Sequence, residues 1–232
     1  MGTNARELTP MKGKQAVIRA RPKRPPPGDG SLRERVLRAA FAMFRERGYS
    51  DVSTLEIATR AQISKRDLYA QFDSKEAMLA ACITERAGRM RQPLNLASQV
   101  PESHEALEAT LVQFGKSVLH GLSDPNVLAV YRLAIAESAR APDIARTLDK
   151  AGREANHLAL GTWLAEAQAR GLIGAGNPAT MAAHFLATLG GALLIQLLLR
   201  VRDPPTAGEI ELRARTASES LILLYPPPRR GD

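Results

Sequence analysis

Apolar side chains recur every three or four residues along most of this chain, which is the period of an amphipathic helix. The first such segment covers residues 31–47 and carries apolar residues at four-residue spacing: Leu32, Val36, Ala40 and Phe44. The segment stops before Gly48, and a glycine at that place commonly ends a helix. The pattern therefore predicts a first helix over residues 31–47.

Residues 53–72, STLEIATRAQISKRDLYAQF, predict two short helices around a tight turn. Ser53 with Glu56, and Ser64 with Asp67, fit the capping box in which a hydroxyl and an acid three residues apart start a helix. The apolar positions predict a small shared core: Leu55, Ile57, Ala58, Ala61, Ile63, Leu68 and Phe72. A further helix is predicted to begin at Lys75, with Asp73 or Ser74 as its cap.

Five more helical segments are predicted, over residues 102–121, 125–139, 142–171, 178–201 and 207–224, with prolines and glycines at their ends. No segment shows the two-residue period of a strand, so the predicted fold class is all-α. We expect an N-terminal three-helix helix-turn-helix domain, followed by a larger helical domain.

Residues 185–199 are apolar on nearly every side, but these 15 residues are fewer than the roughly 20 that span a membrane. They predict a helix buried in a protein core, and Gly190–Gly191 would let another backbone approach closely. The final helix is the natural packing partner, through Leu212, Ala217, Ser220, Leu221 and Leu224.

Positive charge is concentrated at the N-terminal end of the chain, whose net charge is +8. Residues 1–30 carry seven lysines and arginines against two acids, residues 31–91 carry twelve against eight, and residues 92–232 carry thirteen against fourteen. A basic end joined to a near-neutral body indicates a phosphate-binding unit fused to a different module. Residues 1–30, rich in Pro, Gly and Arg, predict a disordered arm, which either contacts DNA or is a solvated tail.

The segment LRERVLRAAFAMFRERGYSDVSTLEIATRAQISKRDLYAQFDSKEAML resembles, without a gap, the DNA-binding domain of the TetR/AcrR family of transcriptional regulators. The stretch YRLAIAESARAPDIARTLDKAGRE, from Tyr131, more weakly resembles the ligand-domain segment of a subset of that family. The resemblance implies a homodimer whose last two long helices pair with their twins, so that two recognition helices read the half-sites of a palindrome. It also implies that helices five to eight enclose a ligand pocket.

This resemblance and the positions of the helix starts assign contacts with double-stranded DNA to eight residues. Lys65 and Arg66 begin the recognition helix and are expected to enter the major groove. Phosphate contacts are assigned to Ser53, Thr54, Tyr69 and Lys75, with Ser64 and Gln71 as further candidates. A solvated surface charge is the alternative for Lys65.

The chain departs from the family pattern in two places. The turn usually holds a glycine, and Gln62 in the left-handed conformation would cost roughly 1 kcal/mol. Arg66 and Asp67 stand where small residues are more usual, so Arg66 is a candidate to pair with guanine and Asp67 with cytosine. For Asp67 we favour the alternative, a helix cap.

The larger side chains of the C-terminal region are candidates for the pocket wall: Phe114, His120, Tyr131, His157, Trp163, His184 and Phe185. Ordinary packing is the alternative for each of them. Such a pocket would favour an apolar or aromatic small molecule with one or two polar handles.

Catalysis has little support in the sequence. The four histidines have no metal-ligand spacing, and the single cysteine, Cys82, has no reactive neighbour in the sequence. A lone cysteine excludes an intramolecular disulfide and suits a reducing cytoplasm. Residues 174–179 fit a dinucleotide-binding pattern of glycines, but they follow a helix rather than a strand. We expect no enzyme, no cofactor and no metal.

These patterns predict four parts: a basic arm (1–30), a helix-turn-helix domain (31–75), a regulatory and dimerisation domain (76–225) and a tail (226–232). We expect a dimeric, cytoplasmic, ligand-responsive repressor that binds a palindromic operator and no membrane. The alternative is a non-specific or architectural DNA-binding protein without an effector pocket, which would bind random DNA equally well. A helical enzyme that has borrowed the domain would need a catalytic constellation, and none is found.

Overall fold

The computed structural model of the protein describes residues 31–96 and 101–228. The predicted basic arm lies outside these residues, as do the last four residues of the predicted tail. All regular structure in the described part is helical, which confirms the all-α fold class. In that part, each helix is too short or too polar to cross a membrane.

The N-terminal helices are α1 (Leu32–Arg47), α2 (Thr54–Arg60), α3 (Lys65–Gln71) and α4 (Lys75–Leu96). Helix α1 begins with a complete capping box between Ser31 and Glu34. Ser74 caps α4 by accepting a hydrogen bond from the Ala77 amide at 3.1 Å. The starts predicted for all four helices agree with these bounds to within a residue.

The small core of α1, α2 and α3 contains most of the predicted apolar residues, but not Leu55. Ile57 and Leu68 are fully buried, whereas Leu55 is 58% exposed. Successive helical residues are about 100° apart, so Leu55 points away from the face that Ile57 turns inward. The prediction that Leu55 belongs to this core is therefore wrong.

The rest of the chain forms α5 (His104–Ser123), α6 (Pro125–Ala136), α7 (Pro142–Leu148), α8 (Ala155–Ala169), α9 (Pro178–Gly190), α10 (Leu193–Leu198) and α11 (Ala207–Leu224). A π-helical segment, Asp149–Glu154, joins α7 to α8. The predicted segment 142–171 is thus helical, but it contains one wider turn that periodicity does not reveal.

The predicted single helix over residues 178–201 is broken at the glycine pair. Gly191 has φ +48°, a left-handed conformation that favours glycine, and its amide closes α9 on the Ala187 carbonyl at 2.9 Å. A Cβ added to Gly190 or Gly191 would meet nothing within 4 Å. The pair therefore ends a helix and does not provide a close backbone contact within the chain.

Helix α5 packs between α4 and α11, and α9 packs on α8 and α11. The centre of this body contains the stacked rings of Phe114 and Phe185, whose centroids are 6.0 Å apart. Helices α9 and α10 are buried on one side only, because Phe185 and Leu193 are buried while Thr188 and Ile195 are exposed. The burial predicted for residues 185–199 is therefore found on one face of the single chain and not on the other.

Helix α4 belongs to both parts of the structure. Its first half places Met78, Leu79 and Cys82 in the core shared with α1, α2 and α3. Its second half places Met90 and Leu94 in the core of the C-terminal helices. A displacement of α4 would therefore change the packing of both cores.

Candidate DNA-binding surface and ligand cavity

Helix α3 presents a polar face to solvent because only its other side is packed. Leu68 is fully buried and Phe72, just after the helix, is nearly so. Lys65, Arg66 and Gln71 are exposed. Neither Lys65 nor Arg66 has an acidic partner within 4 Å among the described residues. The start of α3 thus carries two positive charges that are free to meet phosphate or base edges.

The turn between α2 and α3 is held by an arginine of α1. The Arg35 guanidinium donates to the carbonyls of Ala61 at 2.7 Å and Gln62 at 3.1 Å. Gln62 has φ +56°, so it takes the left-handed conformation whose cost was considered for this position. The hydrogen bonds from Arg35 satisfy the two carbonyls that directly follow α2 and offset part of the strain at Gln62.

The start of α2 is linked to the second half of α3 through two hydroxyls. Thr54 Oγ1 and the Tyr69 hydroxyl are 3.0 Å apart, and the Lys65 ammonium lies 5.7 Å from the centroid of the Tyr69 ring. Thr54 stands at the amide-rich beginning of α2, where a phosphate oxygen is favoured. These three side chains therefore form one continuous polar patch.

Ser53 and Ser64 use their hydroxyls as helix caps. Ser53 forms a complete capping box with Glu56, and Arg47 binds the same carboxylate at 2.6 Å. The backbone amide of Ser53, then Arg47, lowers the pKa of Glu56 to about 2. Ser64 donates to Asp67 Oδ2 at 2.7 Å and accepts from the Asp67 amide at 3.0 Å. Asp67 thus takes part in the cap.

Lys75 is engaged inside the protein. Its ammonium donates to the carbonyls of Tyr49 at 2.8 Å and Val52 at 3.0 Å and lies 4.3 Å from the centroid of the Tyr49 ring. The Tyr49 hydroxyl in turn donates to Glu76 Oε1 at 2.6 Å. Two of the three donors of Lys75 are therefore used to fasten the loop before α2. The structure gives this lysine a positioning role beside the DNA-reading unit, by which we mean α1, α2 and α3.

A cavity of about 1040 Å³ lies among α4, α5, α6, α7, the π-helical segment, α8, α9 and α10. Its wall is mainly apolar, with Ile83, Met90, Val130, Leu148 and Leu186 among its members. This volume is at the upper end of small-molecule sites. Phe41 of α1 also lines the cavity, so the DNA-reading unit contributes directly to its wall.

Two of the seven side chains predicted for the pocket, Tyr131 and His157, line this cavity. Phe114, Phe185 and Trp163 are buried in the core instead, because they fill the space between packed helices. His120 and His184 are exposed, and His184 Nδ1 is 2.9 Å from the Tyr225 hydroxyl. These five side chains are not part of the cavity wall.

Five polar residues that the sequence did not identify as pocket candidates also line the cavity: Arg86, Ser138, Asp149, Arg153 and Asn156. A signal for Arg86 was present, since it stands between Ile83 and Met90 on the apolar side of α4, where an arginine is unusual. Asp149 and Arg153 carry no comparable signal, because only the π-helical turn brings them to the wall.

Helices α10 and α11 expose large apolar side chains in the single chain. Ile195, Leu199 and Val201 lie on and just after α10, and Leu212, Leu223 and Leu224 lie on α11. Each is more than half exposed, and Leu199 and Leu212 are both 65% exposed. We refer to these six residues as the apolar stripe. Such a concentration on two consecutive helices is typical of a protein interface.

Two family models match separate parts of the chain. Residues 36–82 match the model described as bacterial regulatory proteins, tetR family. Residues 109–226, half of the chain, match the model described as AefR-like transcriptional repressor, C-terminal domain. The two matches coincide with the DNA-reading unit and with the body that surrounds the cavity.

Similar proteins include both solved structures and a curated relative. The flavonoid-responsive regulator FrrA is 31% identical with a TM-score of 0.67, covering 85% of this chain and 98% of FrrA. A TetR transcriptional regulator from Agrobacterium tumefaciens has a TM-score of 0.69 at 23% identity, covering 86% of this chain and 97% of its own, and shares the fold. The uncharacterized HTH-type transcriptional regulator YdgC of Bacillus subtilis (strain 168) is 38% identical over 60 residues, 26% of this chain and 31% of that relative.

Proposed function

Since this chain belongs to the TetR family of transcriptional regulators and carries its DNA-binding helix-turn-helix, we propose that it is a ligand-responsive repressor that binds a palindromic operator as a homodimer. Its site of action would be the cytoplasm, where the DNA is. Repression is favoured by the match to a C-terminal domain described for a transcriptional repressor.

The main support for a response to a ligand is that α1 and α4 both contribute to the cavity wall. Helix α4 begins at Lys75, beside the DNA-reading unit, and supplies Ile83, Arg86 and Met90 to the wall. Phe41 of α1 lines the same cavity, and the Arg86 guanidinium lies 3.5 Å from the centroid of its ring. A molecule in the cavity would therefore touch the elements that orient α3. A ligand that weakens DNA binding is then itself bound more weakly, by the same coupling free energy, when DNA is bound.

The DNA contacts we propose centre on Lys65 and Arg66, which would reach base edges or phosphates in the major groove. Thr54 and Tyr69 would hold the backbone beside them, with Ser53, Ser64 and Gln71 at the edge of the same surface. Lys75 would contribute indirectly, because it holds the loop that precedes α2 in place.

Dimerisation is proposed through the apolar stripe. Pairing of α9, α10 and α11 with a second copy would form a helical bundle across a two-fold axis and remove the six exposed side chains from water. A two-fold dimer also presents two copies of α3, and copies about 34 Å apart match successive turns of DNA. The exposed face of α10 favours this assembly over a monomer.

The direct test of DNA recognition is a titration of the full-length protein against labelled DNA from upstream of its own gene, with random DNA as competitor. We expect a specificity ratio of about a thousand or more, as sequence-specific binders show. A ratio near one would favour the architectural alternative and contradict the proposal.

Flavonoids are the first effectors to add, because FrrA is described as flavonoid-responsive. A true effector is expected to weaken operator binding at least about fivefold, the lower end of ordinary allosteric coupling. The matched control is the same titration on random DNA, whose weaker binding should respond much less. Equal loss on both DNAs would indicate general inhibition rather than regulation.

A further inference from the structure

The charged groups in the cavity wall are not balanced. Asp149 and Arg153 form a forked ion pair, in which Arg153 Nε binds Oδ1 and a second guanidinium nitrogen binds Oδ2 at 2.9 Å. These two residues therefore neutralise each other. Arg86 has no acidic partner within 4 Å among the described residues. The wall thus carries one positive charge without an ion-pair partner, on which Glu85 and Asp124 act only from a longer distance.

The Arg86 guanidinium is only partly satisfied by the protein. One nitrogen donates to the Cys82 carbonyl at 3.2 Å, and the planar group lies over the Phe41 ring. A guanidinium offers five N–H donors in a fork that matches a carboxylate, so most of its hydrogen-bonding capacity remains available to a ligand. Burial lowers the pKa of Arg86 from its usual value, but an arginine in a protein stays protonated near neutral pH.

The other polar groups of the wall are neutral at physiological pH. Burial raises the pKa of Tyr131, so its hydroxyl stays protonated. Burial and the charge of Arg153 lower the pKa of His157, so its ring stays uncharged. Asn156 is already engaged, since it accepts from Arg91 at 3.1 Å. None of these groups competes with Arg86 for an anion.

We propose that the cavity selects an apolar organic monoanion, aromatic or aliphatic, whose carboxylate or similar acid group binds Arg86. This inference rests on the proposed ligand response and names the chemical class of the ligand. An anion compensates a cation that the apolar wall leaves poorly solvated, whereas a neutral molecule does not and an organic cation would be repelled. The remaining wall would hold the hydrocarbon part of the ligand.

The test uses displacement of a neutral fluorescent reporter, phenylnaphthylamine, from the full-length protein. The competitors are biphenylcarboxylate and biphenylcarboxamide, which have nearly the same shape and differ in charge. The variants are Arg86→Met, which removes the charge, and Arg86→Lys, which keeps it. The matched control is Arg89→Met, because Arg89 lies on the same helix, is exposed, and binds Glu85 at 2.6 Å outside the cavity.

We expect the wild-type protein to prefer the carboxylate by roughly 10- to 100-fold, the effect of one charge-assisted contact. Arg86→Met should abolish that preference, Arg86→Lys should keep part of it, and Arg89→Met should leave it unchanged. Unchanged affinity for the neutral reporter shows that each variant still has its cavity. Should Arg86→Met fail to fold, the comparison of the two competitors on the wild type and on Arg86→Lys still decides.

Equal displacement by the two competitors in the wild type would overturn the proposal, as would a preference that survives in a folded Arg86→Met. A wild-type protein that takes up no reporter would overturn it too. DNA affinity is measured on the same samples. If a neutral ligand weakens specific DNA binding and replacement of Arg86 does not change that effect, the proposed ligand class is refuted while the proposed function stands. Loss of specific DNA binding in the wild type would instead refute the proposed function.

Discussion

Replacing Lys75 by methionine is expected to weaken the fold of the DNA-reading unit and not its contact with phosphate. The ammonium donates to two carbonyls, at 2.8 and 3.0 Å. A hydrogen bond from a charged donor contributes about 1.5–3 kcal/mol when buried. Lys75 is half-buried, so we take the lower part of that range for each bond. Two bonds of about 1.5–2 kcal/mol each give an expected loss of about 3–4 kcal/mol in the free energy of unfolding.

Two measurements separate this role from a phosphate contact. Urea denaturation followed by circular dichroism gives the change in the free energy of unfolding. The slope of log affinity for DNA against log salt concentration counts phosphate contacts, at about 0.9 for each. Removal of one phosphate contact from each protomer of a dimer would lower the magnitude of the slope by about 1.8. For Lys75→Met we expect the slope to stay unchanged.

Lys65→Met is the matched control, because Lys65 is exposed and has no acidic partner among the described residues. It should leave the free energy of unfolding nearly unchanged and reduce the salt slope. The opposite pattern for Lys75→Met, a reduced slope with unchanged stability, would refute the positioning role. That result would support the phosphate contact that the sequence predicted for Lys75.

Four further substitutions or treatments have defined outcomes. Arg66→Ala should cost about 1–3 kcal/mol of operator binding and relax preference at one base pair, measured by competition with single-base operator variants; a uniform loss over all variants would show contact with phosphate only. Leu212→Glu should yield monomers in light scattering, while Leu55→Glu, an exposed leucine of α2, should stay dimeric; a dimeric Leu212→Glu would place the interface elsewhere. Burial raises the pKa of Cys82 to about 12, so its thiol should react with a disulfide reagent only after unfolding, and rapid reaction of the native protein would contradict this burial. The pKa of Glu56 is lower in the folded than in the unfolded state, so its ionised carboxylate stabilises the fold above the unfolded pKa near 4.3, and this contribution is lost as the pH falls towards 2. Glu56→Gln should therefore flatten the pH dependence of the free energy of unfolding between pH 4.3 and 2. An unchanged pH profile would contradict this role of Glu56.

The DNA-reading unit was largely predictable because its signals are local. Capping serines, four-residue apolar spacing and a short turn each act within a few residues. The left-handed conformation of Gln62 was considered because the family usually has a glycine in this turn. Leu55 was misplaced because hydrophobicity alone does not tell which face of a seven-residue helix turns inward.

The cavity was less predictable, because its wall is assembled from distant segments. Large aromatic side chains were the natural candidates, yet Phe114 and Phe185 stack on each other in the core. Mainly aliphatic side chains border the empty space instead. The π-helical turn brings Arg153 to the wall, and the left-handed Gly191 ends α9 there. Neither conformation follows from helix propensity, since tertiary packing decides both.

A hydroxyl-radical footprint of the full-length protein on DNA upstream of its own gene tests the central claim most directly, namely that α3 is presented in duplicate to two half-sites. We predict two protected stretches with two-fold symmetry, centred about 10 base pairs apart or a multiple of that, and we expect both to disappear when Arg66 and Lys65 are replaced together. A single protected stretch, or even protection along the whole fragment, would contradict a dimeric operator-binding regulator.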